Sequence, residues 1–335
     1  MRTDRSDRCE FLDLSDGRRL AYTATGPADG VPVMYCHGAI GTPVGGTVDL
    51  DLLCDRLGVR YITPFRPGLG ASDPKPGRTI LDFADDAREL ADALELEHFA
   101  LVGVSAGGPY ALAIAHKLRS RVGRVAIVSG ISPFCAPHET EGLRKRIRWG
   151  LRFMDHAPGL AEGVGNACVD VIRKHPQILM RAMSAHAAPG ERERMAGAGE
   201  REQASTAFLD AAQQGVRGML DDYRIYAGEW GFEPAEVYNE VHLWHGVRDP
   251  LVPIDHALQL ALAFPHSRVF FDPDEGHHFF RSSIGRILSV LVGEATACPG
   301  EHMTTSFDAA RILVSQPRVK PRRGAPRVAD AQAAG

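Results

Sequence analysis

The residues of this chain best suited to chemistry lie in three short, widely separated stretches. Gly103-Val104-Ser105-Ala106-Gly107 fits the pattern G-x-S-x-G, in which a serine occupies a sharp strand-to-helix turn with its hydroxyl exposed. Leu243-Trp244-His245-Gly246-Val247-Arg248-Asp249-Pro250 offers an acid, and Asp274-Glu275-Gly276-His277-His278 offers a base. A serine hydroxyl is a poor nucleophile near neutral pH; it needs a base within hydrogen-bond reach, and that base needs an orienting acid. Ser105, Asp249 and His277 are therefore the candidate catalytic residues. His278 is an alternative base, but His277 directly follows the glycine of a tight turn. Asp221 and Asp222 are rival acids, although they fall in a helical region of different character. Ala106, just after the serine and at a helix N-terminus where amides are unpaired, is a candidate N–H donor to an oxyanion. His242, His245, His277 and His278 lack the spacing of a metal site. Neither a metal nor a cofactor is expected.

Those side chains must be positioned by strands that end near one another. Phe99 to Val104 is a short apolar run of strand formers, as expected of a strand buried on both faces, and the Ala- and Leu-rich stretch from Pro109 to Leu118 reads as the following helix. Cys9 to Ala24 alternates around Asp16-Gly17, a dipeptide suited to a type I′ hairpin turn. Further strands are expected at Val31–Cys36, Val59–Pro64, Val122–Val128, Glu240–His245 and Arg268–Phe271. Helical spacing marks Thr47–Leu57, closed by Gly58, and Asp255–Phe264 and Phe279–Val292. Thr79-Ile80-Leu81-Asp82 is a capping box opening a helix to about Leu96. The alternation predicts an α/β fold, a doubly wound, mostly parallel eight-stranded sheet with an antiparallel hairpin at its start.

From about Cys135 to Pro234 the strand signal disappears and helical periodicity takes over, broken at Pro158, Pro176 and Pro189-Gly190. The expected organisation is a core of residues 1–134 and 235–298, an all-helical cap at 135–234, and a disordered tail at 299–335. Within that tail, Phe307–Val314 is the one run with helical character. The cap's Trp149, Phe153, Met154, Met180, Met183, Met219, Tyr223, Tyr226, Trp230 and Phe232 are expected mostly to pack its helices, with a few facing the cleft, since adaptable methionines and aromatics suit an apolar pocket; the sequence does not single those few out.

With 335 residues, 44% of them hydrophobic and 24% charged, and a net charge of −4, the chain gives no electrostatic case for nucleic acid or an anionic membrane as main partner. A small-molecule substrate is expected, and the oligomeric state, monomer or homodimer, is left open. The six cysteines are scattered without C-x-x-C spacing, as expected of free buried thiols in a reducing compartment. The first ten residues hold arginines and no apolar run, so no secretory signal is read there and a cytoplasmic location is expected.

The order Ser105, Asp249, His277, with the serine turn and the alternating architecture, resembles the α/β-hydrolase superfamily. The resemblance runs from about Leu12 to Val292 and includes His37-Gly38 and the loop Arg66-Pro67-Gly68-Leu69-Gly70-Ala71-Ser72, with Phe65 where the family usually has aspartate. It implies a second oxyanion amide at Ala39, the residue after the His-Gly pair. It also implies a serine hydrolase that cleaves an ester-type bond of a small or medium apolar molecule through an acyl-enzyme on Ser105. Lactones, thioesters, amides and carbon–carbon bonds use the same machinery. An acyltransferase or lyase of the same fold, and a ligand-binding protein on the scaffold, are the alternatives. Serine at this turn argues against epoxide hydrolase and haloalkane dehalogenase chemistry, which in related folds uses aspartate.

Overall fold

The structure is a computed structural model that describes residues 9–39, 50–133, 141–185, 187–293 and 303–305. Among the described residues nine strands form one sheet: β1 (Cys9–Asp13), β2 (Arg19–Thr25), β3 (Val31–Cys36), β4 (Val59–Pro64), β5 (Phe99–Val104), β6 (Val122–Val128), β7 (Val241–Gly246), β8 (Ser267–Asp272) and β9 (Met303–Thr305). Their order across the sheet is β1-β2-β4-β3-β5-β6-β7-β8-β9. Strands β3 to β8 run parallel, while β1 and β2 at one edge and β9 at the other are antiparallel to their neighbours. The eight expected strands are thus present. The ninth comes from the predicted tail, whose Met303–Thr305 pairs with Arg268–Phe270. The Phe307–Val314 run lies outside the described residues.

Side-chain alternation along the central strands feeds two cores. Met34, Leu101, Val125 and Ile127 point to one face, under α2 (Ile80–Ala93), α3 (Gly108–Lys117) and α10 (Ile254–Ala263). Val33, Tyr35, Val102 and Ala126 point to the other, under α1 (Leu50–Leu57) and α11 (Phe280–Val292). Each strand is covered on both sides, which is why these runs are continuously apolar rather than alternating in polarity. The capping box forms as expected: Thr79 Oγ1 accepts from Asp82 N (3.2 Å) and Thr79 N donates to Asp82 Oδ2 (2.7 Å).

The first hairpin differs from expectation. A type I′ turn needs positive φ at both central residues, and only Gly17 has it (+86°), not Asp16. Gly17 N donates to Leu14 O (2.9 Å) and Leu14 N to Arg18 O (2.8 Å). The loop is a type I turn closed by a glycine bulge, the longer alternative. The cysteines also differ in part. Cys36 and Cys54 are buried free thiols, but Cys168 is exposed and Cys9 half-buried; Cys135 and Cys298 lie outside the described residues.

Between β6 and β7 the described residues form six α-helices: α4 (Glu141–His156), α5 (Pro158–Lys174), α6 (Gln177–Ala185), α7 (Pro189–Met195), α8 (Ala198–Ala211) and α9 (Arg217–Ala227). The breaking prolines act as starters: Pro158 and Pro189 are first residues of α5 and α7, and Pro176 precedes α6. The missing N–H of proline is harmless at that position. Despite this insertion β6 and β7 pair directly, Val125 against Val241, so the helices leave and rejoin the sheet at its middle. Trp230 and Phe232, near the end of the insertion in sequence, pack into the core beneath α2 and α3. Among the described residues no helix is long and apolar enough to cross a membrane.

Candidate active site

Ser105 follows the last residue of β5 and opens a single 3-10 turn, Ser105–Gly107, that leads into α3. Its φ is +54°, a left-handed conformation that non-glycine residues rarely adopt and that packing must hold in place. Packing is close here. A Cβ on Gly103 would lie 2.8 Å from Ala111 Cβ, and one on Gly107 would collide with the Cys36 and His37 carbonyls. The glycines of G-x-S-x-G are therefore required because β3, β5 and α3 converge on the serine.

The other two side chains arrive on loops after β7 and β8. His277 Nε2 is 3.0 Å from Ser105 Oγ, and His277 Nδ1 is 2.7 Å from Asp249 Oδ2. With Asp249 ionised, Nδ1 carries the proton and Nε2 accepts from the serine hydroxyl. Asp249 has no side-chain exposure, and its other oxygen, Oδ1, accepts the Leu251 and Val252 amides at 2.9 Å each. Burial pushes its pKa up, but the hydrogen bond and charge of His277, with His245 and the Val252 amide, outweigh that and leave it below the usual carboxylate range. His245 is itself buried and held below its ordinary pKa by desolvation; its Nε2 donates to Val252 O (2.8 Å), bracing the same turn.

The alternatives are placed elsewhere. His278 donates its backbone N–H to Glu191 Oε1 (2.6 Å), and burial lowers its imidazole to a pKa of about 4. Asp221 accepts from Arg224 (3.3 Å). Asp222, on α9, accepts from Arg66 Nε (2.7 Å), Tyr110 Oη (2.8 Å) and Arg78. All four are buried. Burial raises the Asp222 pKa, yet Arg66 and Arg78 overcome it and the net shift is downward. Arg66 also donates to the carbonyls of His37 and Gly38, the latter at 3.0 Å. Sequence reasoning found Asp222 only as a rival acid and did not find Arg78, Tyr110 or Glu191. No local spacing links a loop arginine to a cap carboxylate.

Ser105, Ala106, Ala39 and His277 border a cavity of about 440 Å³. Its walls are mostly apolar: Tyr35, Val104 and Ile131 from the core face Met183, Tyr223 and Tyr226 from the cap. His256, His278 and Arg281 supply polar edges. His256 Nδ1 accepts the Ser132 amide (3.1 Å), and burial lowers its pKa to about 4, so the ring is neutral. Of the cap aromatics singled out in sequence, Trp149 is instead 75% exposed, away from this cavity. Among the described residues no three His, Cys, Asp or Glu side chains cluster as a metal site requires.

A strand-turn-helix serine, an acid and a histidine on later strand ends, and a sheet of this order match a known pattern. The family model for the alpha/beta hydrolase fold matches residues 31–154. The chain has the alpha/beta hydrolase fold. It is similar to an uncharacterised hydrolase, YcgS, of Bacillus subtilis (strain 168), 24% identical over 247 residues, 72% of this chain and 82% of that one. Over 134 residues, 38% of this chain and 47% of the relative, it is 34% identical to a non-heme chloroperoxidase of Streptomyces lividans. Among solved structures, an esterase from Exiguobacterium antarcticum superposes with a TM-score of 0.62 at 18% identity, covering 85% of this chain and 98% of the esterase. The protein is an enzyme of that fold, and helices of its insertion share one cavity with Ser105 and His277.

Proposed function

We propose that this protein is a serine hydrolase of the α/β-hydrolase superfamily that cleaves an ester bond of a small or medium apolar molecule through an acyl-enzyme on Ser105. The supporting observation is the hydrogen-bonded chain Ser105–His277–Asp249 at the end of a largely apolar cavity of about 440 Å³. Ser105 Oγ attacks the carbonyl carbon as His277 Nε2 takes its proton. The oxyanion rests on the Ala39 and Ala106 amides, and His277 then protonates the leaving alcohol. A water deprotonated by His277 releases the acid, while Asp249 holds Nδ1–H and stabilises the imidazolium. The partner is a small molecule, with neither nucleic acid nor membrane required, and the scattered cysteines without C-x-x-C spacing support a cytoplasmic setting.

A fluorophosphonate probe tests the nucleophile: it should label the wild type and leave Ser105→Ala unlabelled, and persistent labelling of that variant would sink the assignment. Chromogenic acyl esters of graded chain length then read the acyl pocket. The partial likeness to a non-heme chloroperoxidase supports a second reading, peroxide chemistry at the same serine. Chlorination of a phenol reporter by hydrogen peroxide and chloride, lost in Ser105→Ala, would favour it over ester cleavage.

A further inference from the structure

Arg66 leaves the loop after β4 and has no exposure at all. Its guanidinium lies over the Tyr110 ring, 4.7 Å from the centroid, and faces two ways. On one side Nη1 and Nη2 donate to His37 O and Gly38 O; on the other Nε donates to Asp222 Oδ2 at 2.7 Å. The Gly38 carbonyl also meets His37 Nδ1 at 3.0 Å. Burial, with the charge of Arg66, lowers the His37 pKa to about 3, so that ring is a neutral donor. Gly38 O is thus gripped by two donors. In a trans peptide the carbonyl and the next N–H point in opposite directions. Fixing Gly38 O therefore fixes the direction of the Ala39 N–H, and Ala39 borders the cavity beside Ser105.

Asp222 is what allows Arg66 to be there. Two guanidiniums, Arg66 and Arg78, converge on this one carboxylate, all with side-chain exposure of 3% or less. Such a buried cluster is weak support for stability, since desolvation offsets much of the attraction, and removing one partner leaves an uncompensated charge. What it supplies is a defined geometry, and that geometry ends on the peptide before Ala39. The carboxylate belongs to α9, an element of the insertion rather than of the sheet.

We propose that Asp222 of the cap is a positioning residue for the oxyanion site: it holds Arg66 in the orientation that grips the Gly38 carbonyl and so aims the Ala39 N–H. This inference rests on the acyl-transfer reading above. The helical insertion therefore completes the catalytic apparatus as well as roofing the pocket.

The test is the rate of fluorophosphonate labelling, separated into reagent affinity and maximal rate, in Asp222→Asn and Arg66→Lys. Lysine keeps a cation beside Asp222 but cannot span from it to Gly38 O. Losing an oxyanion donor outright costs on the order of 10²–10³ in rate; misaiming one should cost roughly 10- to 100-fold in maximal rate with affinity nearly unchanged. Binding of a boronic acid, whose adduct places an oxygen in the same position, should weaken in parallel. A role in folding alone would lower the melting temperature without moving either readout in the folded fraction. Should Asp222→Asn fail to fold, Arg66→Lys decides. Wild-type labelling rates and boronate affinity in either folded variant would overturn the proposal, whereas an unlabelled wild type would overturn the nucleophile reading instead.

Discussion

At the level of single residues, the proton path is short, with His277 between Ser105 on one side and Asp249 on the other. Asp249→Asn would present an amide to His277 Nδ1 and favour the tautomer that cannot accept from Ser105, so kcat should fall by about 10⁴ with the fold intact; a steady-state assay with any active ester reads it. The buried histidines give a pH signature of their own. Desolvation lowers His37 to about 3, His256 to about 4 and His278 to about 4, from an ordinary 6.5. Their folded pKa values lie below the unfolded one, so the unfolded chain binds protons that the folded chain refuses. Their contribution to stability is complete above pH 6.5 and is lost as pH falls through the interval to 4 and 3. Thermal unfolding midpoints should drop steeply from pH 6.5 to 4, and His278→Asn should flatten that slope; a flat wild-type profile would contradict the neutral, buried state. Ser105, Asp249 and His277 were legible in sequence because each sits in the turn or loop that follows a strand. Arg66, Arg78, Tyr110 and Asp222 were not, because their meeting depends on how separate elements dock.

Elements were legible where one force dominates. The apolar runs of β3 and β5 to β7, and the capping box of α2, follow from local pattern. The first turn was misread because Asp16-Gly17 fits two loop types and only the pairing register separates them. In the insertion, prolines announced where helices start but not where they pack. Helix α7 illustrates what was hidden. Its Glu191 accepts Ala188 N at 2.9 Å and His278 N at 2.6 Å, tying the helix start to the loop that carries His277. Glu191→Ala leaves the buried Ala188 amide without its acceptor, worth about 1–3 kcal/mol, and frees the half-buried His278 amide as well. The urea midpoint should therefore fall, and kcat with it; unchanged values would show that the loop holds itself.

For the whole molecule, the sheet assigns the reaction and the insertion shapes the space in which it occurs. That space could not be read from sequence, since its wall is assembled from β3, β5, the loop after β6, α6, α8, α9 and the start of α11, joined only in the folded state. The opposite edge is less critical. Removing residues 299–335 deletes β9 and bares part of β8; Met303–Thr305, the described residues of that segment, do not border the cavity, so probe labelling should proceed at the wild-type rate with only a modest loss of melting temperature.

The buried charge cluster also bears on the order of events during synthesis. Arg66 and Arg78 leave the ribosome 156 and 144 residues ahead of the carboxylate that neutralises them. At about 5–20 residues per second, both guanidiniums wait on the order of ten seconds for their counter-ion. During that interval the first half of the sheet can pair its strands but cannot seal its centre, and the nascent chain stays open until α9 has been made.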